Sequence, residues 1–388
     1  MMDNETLKLQ LDLCMGCGYC RDAYGDEGWL ETLKTKHVCP TREIMGFDAY
    51  TAKGRILVGK AIIENHLPLS ASTTDVYFFC TLCGNCEAHC ISRGLPFVPP
   101  DLKIREIIRY FRKRTIEENM PIPTPLTRIK ENVLNEGNVF GEKEKDEDTP
   151  YLSKNKESKV IYFRGCMATY RERQITRAFD NLARKLALDV GCLDSENCCG
   201  NVFFRTGQVE TGMKLMERNI NKFKKADIKT LITSCPGCLN AFNNEYRFEE
   251  SGLELDIQHV SEYLASLPDL GRKLKNEVPK KVTYHDPCEL GRISMIYDTP
   301  RMLLEKIPLM QLVEPFRTKV NSWCCGAGGG VQAAYPDESK KIAKNRYDEL
   351  KNTGADFIVT ACPNCTHAIG QAGKIFDLAE LLETFLEE

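Results

Sequence analysis

Ten cysteines between positions 166 and 365 of this 388-residue chain fall into one pattern that occurs twice. The first copy is Cys166, then Cys198-Cys199-Gly200, then Cys235-Pro-Gly-Cys238. The second is Cys288, then Cys324-Cys325-Gly326, then Cys362-Pro-Asn-Cys365. Four thiolates saturate an ordinary cubane iron–sulfur cluster. A fifth, with two of the five adjacent, points to a larger or opened cluster. Two complete sets point to a reaction at paired iron centres rather than to simple electron storage.

The segments around the cysteines repeat as well. Cys166 maps to Cys288 at an offset of 122, Cys198 to Cys324 at 126 and Cys235 to Cys362 at 127. Residues 159–164 (KVIYFR) and 281–285 (KVTYH) read as strands ending at the first cysteine, and 229–233 and 356–360 as strands ending at CPxC. Residues 209–225 and 338–351 read as helices, and 255–267 and 376–386 close each copy with an apolar strand or turn and a helix. The expectation is an internally duplicated α/β unit, with domains at 158–275 and 276–388. Cysteines at the carboxyl ends of parallel strands stand where α/β sheets hold ligands. Gly200 and Gly326, with Gly237 and 328–330, let the backbone come close enough to donate N–H groups to sulfur.

The first 120 residues carry eight more cysteines. Cys14, Cys17 and Cys20 are followed eighteen residues later by Cys39-Pro40, and Cys80, Cys83, Cys86 and Cys90 form an unbroken run. In the two-cluster ferredoxin arrangement the last cysteine of each run serves the other cluster. One [4Fe–4S] cluster then takes Cys14, Cys17, Cys20 and Cys90, and the other takes Cys80, Cys83, Cys86 and Cys39. Zinc accounts for a single CxxC pair but not for two such runs. The front domain is expected to be mostly helical. Residues 53–65 would bury Ile56, Leu57, Ala61 and Ile62, and 101–119 would bury Ile104, Ile107, Ile108 and Phe111 behind an Asp101 cap. The basic run Arg109–Arg114 reads as a solvated face or a docking surface for an acidic partner. Residues 121–157, rich in Pro, Asn, Glu and Lys, read as a linker in which Pro121, Pro123 and Pro125 stop further helix.

Nineteen cysteines without a signal-peptide apolar region in residues 1–13 favour metal ligation over disulfides, and a cytoplasmic chain. Cys192 belongs to no cluster and reads as a buried small hydrophobe. A net charge of −3 gives no basic field for nucleic acid. No P-loop, GxGxxG or HExxH is present, so a flavin would sit on a partner. His285 and His367 flank the second motif and are candidate proton donors. His89, beside Cys90, and Trp323, before Cys324, read as packing residues.

Cys, thirty-odd residues, Cys-Cys-Gly, a similar gap, then CxxC: with gaps of 31 and 35 in one copy and 35 and 36 in the other, the chain resembles the CCG-domain family, and within it the catalytic subunits of heterodisulfide reductases. The resemblance covers nearly the whole chain. It implies two cubane [4Fe–4S] clusters in the front domain and two noncubane [4Fe–4S] clusters, one per five-cysteine set. It implies two-electron reduction of the mixed disulfide of coenzyme M and coenzyme B to two thiols. The electrons would come from a redox partner, either a membrane cytochrome b that holds the chain at the inner membrane face or a soluble flavin- or hydrogenase-type donor. The eighteen residues between Cys20 and Cys39, including Asp26, Glu27, Trp29 and Leu30, depart from the compact run usual there and leave the partner open. The alternative is an electron-transfer subunit resembling those of FAD-linked glycolate, lactate or glycerol-3-phosphate oxidoreductases. A third reading, a protein that builds or stores clusters, does not require two matched sites.

Overall fold

Each copy of the motif is built on its own parallel sheet. A computed structural model describes residues 2–23, 36–90, 102–143 and 148–387. In the first copy, β3 (Val160–Phe163), β4 (Thr230–Thr233) and β5 (Asp256–His259) lie in the order β3-β4-β5. In the second, β6 (Lys280–His285), β7 (Met310–Leu312), β8 (Phe357–Thr360) and β9 (Phe376–Asp377) lie in the order β7-β6-β8-β9, all parallel. The duplication is plain in the register: Phe163 pairs with Thr233 as His285 pairs with Thr360. Where the second copy has β7, the first has a single parallel bridge from Ile161 to Gly191. The strands are short apolar runs buried at three of four positions in β3, β4 and β8, as expected for sheets covered on both faces.

The copies share one apolar core. The helix Arg173–Lys185 of the first packs on the last helix, Leu378–Phe385, of the second, and Asp298–Glu305 of the second packs on Val260–Ala265 of the first. Tyr162, Phe179, Leu182, Leu264, Tyr284, Leu303, Leu381 and Leu382 all belong to this cluster. His259 and Asp377 cap corresponding helices, accepting from the N–H groups of Ser261 and Ala379. Cys192 is buried against the hydroxyls of Ser153 and Thr149, in keeping with a packing role.

Among the described residues the front domain is helical, apart from a two-residue antiparallel ladder between β1 (Asp22–Ala23) and β2 (Lys36–His37). The pairing of Asp22 with His37 closes the base of the insertion and returns the chain to Cys39; Asp26, Glu27, Trp29 and Leu30 lie outside the described residues, as does Asp101, which is not the expected cap because the helix starts at Ile104 with Lys103 as its N-cap. The helix Ala52–Ile63 buries Ile56, Gly59 and Ile62, but Leu57 is exposed, because its turn of the helix faces away from Phe111 and Tyr77. Ile104, Ile107, Ile108 and Phe111 are buried as the periodicity predicts.

Two expectations are corrected. The basic run is not a solvated face, because Arg112 is fully buried. It donates to the carbonyls of Tyr77, Phe78 and Cys80 in the front domain, of Arg205 in the first copy and of Gly329 in the second. Its five N–H groups suit it to tie three segments together. Residues 121–157 do not run as an unstructured connection either: Thr124–Glu136 is a helix that buries Leu126 and Val133. Pro125 sits in its first turn, where its missing N–H costs nothing, so it starts the helix.

Candidate metal centres and the cavity they share

Eight front-domain cysteines close around two small cavities. One is lined by Cys14, Cys17, Cys20 and Cys90, the other by Cys39, Cys80, Cys83 and Cys86. These are the interleaved sets predicted from spacing. The Lys53 N–H reaches Cys20 Sγ at 3.3 Å and the Leu82 N–H reaches Cys80 Sγ at 3.4 Å, bonds suited to a charged sulfur ligand. Arg55, fully buried beside the second cavity, donates to the carbonyls of Val76 and Phe79, and its Nη1 lies 4.0 Å from Cys39 Sγ. Four thiols around a closed space with a buried cation beside one of them fit iron–sulfur clusters. Burial first, and then the neighbouring thiols, push the Cys20 thiol up to about 12, so at that position a bound metal would be what favours the thiolate.

In the duplicated domains the CPxC motif is a strand-to-helix turn. Cys235 and Cys362 are the N-caps of the helices Pro236–Asn244 and Pro363–Gly370, with proline at the first turn. The second cysteine follows at the third helical residue, so both sulfurs sit at a helix N-terminus, where the dipole favours negative charge. Gly200 and Gly326 have φ of +84° and +89°, and their N–H groups reach Cys198 and Cys324 Sγ at 3.4 and 3.3 Å. Gly165, at φ +72°, leaves room for Cys238 Sγ, which a Cβ there would meet at 3.0 Å.

Nine of these ten cysteines line one cavity of about 460 Å³ between the copies; the tenth, Cys324, is buried and outside its lining. Cys325 and Cys365 Sγ are 3.3 Å apart, and Asn364 of the second copy reaches Cys235 Sγ of the first at 3.7 Å. The thiols perturb one another. The neighbouring Cys198 holds the Cys199 thiol below its ordinary value and Cys324 does the same to Cys83, while Cys166, Cys238 and Cys365 go up. His367 is on the cavity wall, its Nδ1 paired with Glu172 Oε1 at 2.7 Å. His285 is not: it is 1% exposed, behind Cys325, and its Nδ1 accepts from Arg346 Nε at 2.9 Å. Burial holds the His285 imidazole below its ordinary value. His89 bonds through Nδ1 to the Asn85 carbonyl, and Trp323 is buried under the Arg317 guanidinium, 4.0 Å from its ring.

Sequence reading missed part of this wall. Ile129, Val139 and Phe140, from the stretch read as linker, line the cavity beside Cys166. The signal was present in the spacing of Leu126, Ile129 and Val133, and the prolines masked it. Arg205 and Glu289 also line it, paired at 2.9 Å across the two copies.

Residues 160–243 and 282–370 match the cysteine-rich domain (CCG), and residues 10–93 match the 4Fe-4S dicluster domain. The chain is 29% identical over 383 residues to a subunit of the dihydromethanophenazine:CoB–CoM heterodisulfide reductase of Methanosarcina mazei, covering 92% of this chain and 88% of that one. It is 33% identical over 253 residues to an EtfAB:quinone oxidoreductase of Syntrophomonas wolfei, covering 60% of this chain and 35% of that protein. In fold it is similar to a hypothetical protein from Helicobacter pylori, with a TM-score of 0.53 at 11% identity, covering 94% of this chain and 74% of that one. Among the described residues no helix is long and apolar enough to cross a membrane.

Proposed function

The chain belongs to the CCG-domain iron–sulfur family as an oxidoreductase subunit, and we propose that it reduces a mixed disulfide, that of coenzyme M and coenzyme B, to two thiols. The observation that carries this reading is the shared cavity: five-cysteine sets from both copies open into one space, so one small molecule can touch both. Cubane [4Fe–4S] clusters are assigned to the two front-domain sets. Noncubane [4Fe–4S] clusters are assigned to Cys166, Cys198, Cys199, Cys235 and Cys238 and to Cys288, Cys324, Cys325, Cys362 and Cys365. When bound, these supply electrons one at a time and iron with an affinity for sulfur.

The reaction consumes two electrons and two protons: the S–S bond breaks and each sulfur leaves as a thiol. Gly200 and Gly326 hold the backbone against Cys198 and Cys324, and Ile129, Val139 and Phe140 keep water from the Cys166 side. His367, with Nδ1 on Glu172 and a partly exposed ring, would pass a proton from solvent to a departing thiolate. The electrons come through the front domain from a partner, a membrane cytochrome b or a soluble flavin- or hydrogenase-type donor, with the chain working on the cytoplasmic side.

The test is anaerobic. Iron-loaded protein is reduced with an artificial donor, the heterodisulfide is added, and thiols are counted per electron. Two thiols per two electrons, lost in Cys199→Ser or Cys325→Ser, is the expected result. No thiol release from fully loaded protein overturns it and favours an electron-transfer subunit of an FAD-linked oxidoreductase, the reading supported by the likeness to the quinone oxidoreductase.

A further inference from the structure

The duplication allows the two five-cysteine sites to be compared position by position, and among their differences one pair of positions changes from unable to donate toward the sulfurs to polar and coupled. The buried positions of the helices Val209–Lys225 and Pro336–Lys351 align in sequence at an offset of 127: Gly212, Leu215, Met216, Asn219 and Phe223 correspond to Ser339, Ile342, Ala343, Arg346 and Leu350. The sheet registers equate Phe163 with His285. The first site therefore has Phe163 and Asn219 where the second has His285 and Arg346.

In the first site neither residue donates to sulfur. Phe163 packs edge-on against Phe223 and Phe242, and Asn219 donates to the Cys198 carbonyl and the Tyr246 hydroxyl. In the second, a guanidinium N–H can only donate, so the bond from Arg346 Nε fixes His285 Nδ1 as an acceptor and places the ring proton on Nε2. Nε2 is buried and has no hydrogen-bond partner among the described residues. A ring nitrogen of His285 and the sulfurs of Cys325 and Cys365 lie within 4.8 Å of one another. Arg346 is fully buried and held by the Arg317 carbonyl and Ser322, with Glu349 at 3.0 Å offsetting part of its charge. A buried N–H group beside the ligand sulfurs, with a buried cation behind it, favours the more negative, reduced state of a cluster and raises its potential.

The same site also meets the front domain. Cys83 and Cys324 are near enough for each thiol to shift the other's ionisation. Arg292, one turn beyond Cys288, donates to the Cys83 carbonyl at 2.8 Å. Gly328 and Gly329 lie so close to the Cys80–Thr81 backbone that a Cβ on either would come within 2.4 Å of a carbonyl oxygen. The first copy meets the front domain through other groups, with Arg109 on Glu245 and on the Phe204 carbonyl.

We propose that the second five-cysteine site receives each electron first from the front domain and is the easier of the two to reduce, with His285, oriented by Arg346, as the positioning residue responsible. This rests on the reading that both sets hold clusters, and not on the identity of the disulfide. Each step moves one electron from the cluster of Cys39, Cys80, Cys83 and Cys86 to the second site, with the external donor as reductant.

The experiment is a potentiometric titration followed by electron paramagnetic resonance on the fully loaded chain, the second-site signal being assigned by its loss in Cys365→Ser. In the native chain the second-site signal should appear before the first-site signal. His285→Phe, which copies the first site, should make second-site reduction about tenfold less favourable, ~59 mV for one electron, and leave the first site unchanged. His285→Gln, which keeps an N–H donor, should retain most of the native potential. An unmoved second-site potential in His285→Phe overturns the proposal, as does a first-site signal that appears first. Loss of second-site iron from both variants also overturns it, since His285 would then be needed to build the site rather than to tune it. None of these readouts involves disulfide turnover, so the two readings can fail separately.

Discussion

Arg112 donates to the carbonyl of Gly329, 217 residues further along the chain, at 2.8 Å. The same guanidinium holds the Cys80 carbonyl, so one side chain fixes the front domain against the loop that follows Cys-Cys-Gly in the second copy. Arg112→Met would leave the carbonyls of Tyr77, Phe78, Cys80, Arg205 and Gly329 without this donor. The cost is expected to be about 3 kcal/mol or more. Arg112→Lys should recover little, since one ammonium cannot reach all five. Denaturant unfolding gives the loss, and limited proteolysis should show cleavage within 121–157 before the duplicated domains unfold.

The interleaving of the front-domain cysteines is testable by iron counting. Cys39→Ala should remove on the order of four irons, those held with Cys80, Cys83 and Cys86, and spare the cluster of Cys14, Cys17, Cys20 and Cys90. Retention of the Cys80 cluster with loss of the other would show that the runs do not exchange their last ligands.

Gly200 and Gly326 occupy the same place in the two copies but differ in clearance. A Cβ on Gly326 would meet the Ser339 carbonyl at 2.7 Å, whereas on Gly200 the nearest atom is the Gly212 carbonyl at 3.4 Å. Both positions are left-handed, so each alanine costs about 1–3 kcal/mol in backbone strain. Gly326→Ala is expected to cost more, through the added clash. Comparison of melting temperatures and cluster content for the two variants checks the order.

His259 is fully buried, bonded to Ser261 and to the Ser234 carbonyl, and burial holds it down to about 4. A depressed folded value means that the unfolded chain binds the proton first. The stability is present in full above pH 6.5 and is lost as pH falls toward 4, and the gap is worth about 3 kcal/mol. His259→Asn, which keeps a cap, should flatten the pH dependence of unfolding between 6.5 and 4. An unchanged slope would place the acid sensitivity elsewhere.

The duplicated strands, the Val209–Lys225 helix and the interleaved cysteine sets were legible because each is a local pattern: apolar runs ending at a ligand, a 3.6-residue period, fixed cysteine spacings. Arg112 and Arg346 were not legible. Buried arginines look like surface arginines in a sequence, and their partners are carbonyls of distant segments. Pro125 misled because proline halts a helix in its interior and starts one in its first turn, and sequence position alone does not separate the two. His285 was visible as a residue near Cys288, but its orientation depends on Arg346, sixty-one residues later.

The crossed packing of Arg173–Lys185 on Leu378–Phe385 and of Asp298–Glu305 on Val260–Ala265 is the arrangement of two identical protomers around a two-fold axis, with a chain connecting them. A true homodimer of one such unit would be bound by symmetry, because any change at one site would appear at the other. Joined in a single polypeptide, the halves can drift apart one residue at a time, as Phe163 and His285 have done. A symmetric scaffold thereby gains a direction, with one end suited to taking charge in and the other free to specialise on its half of the substrate.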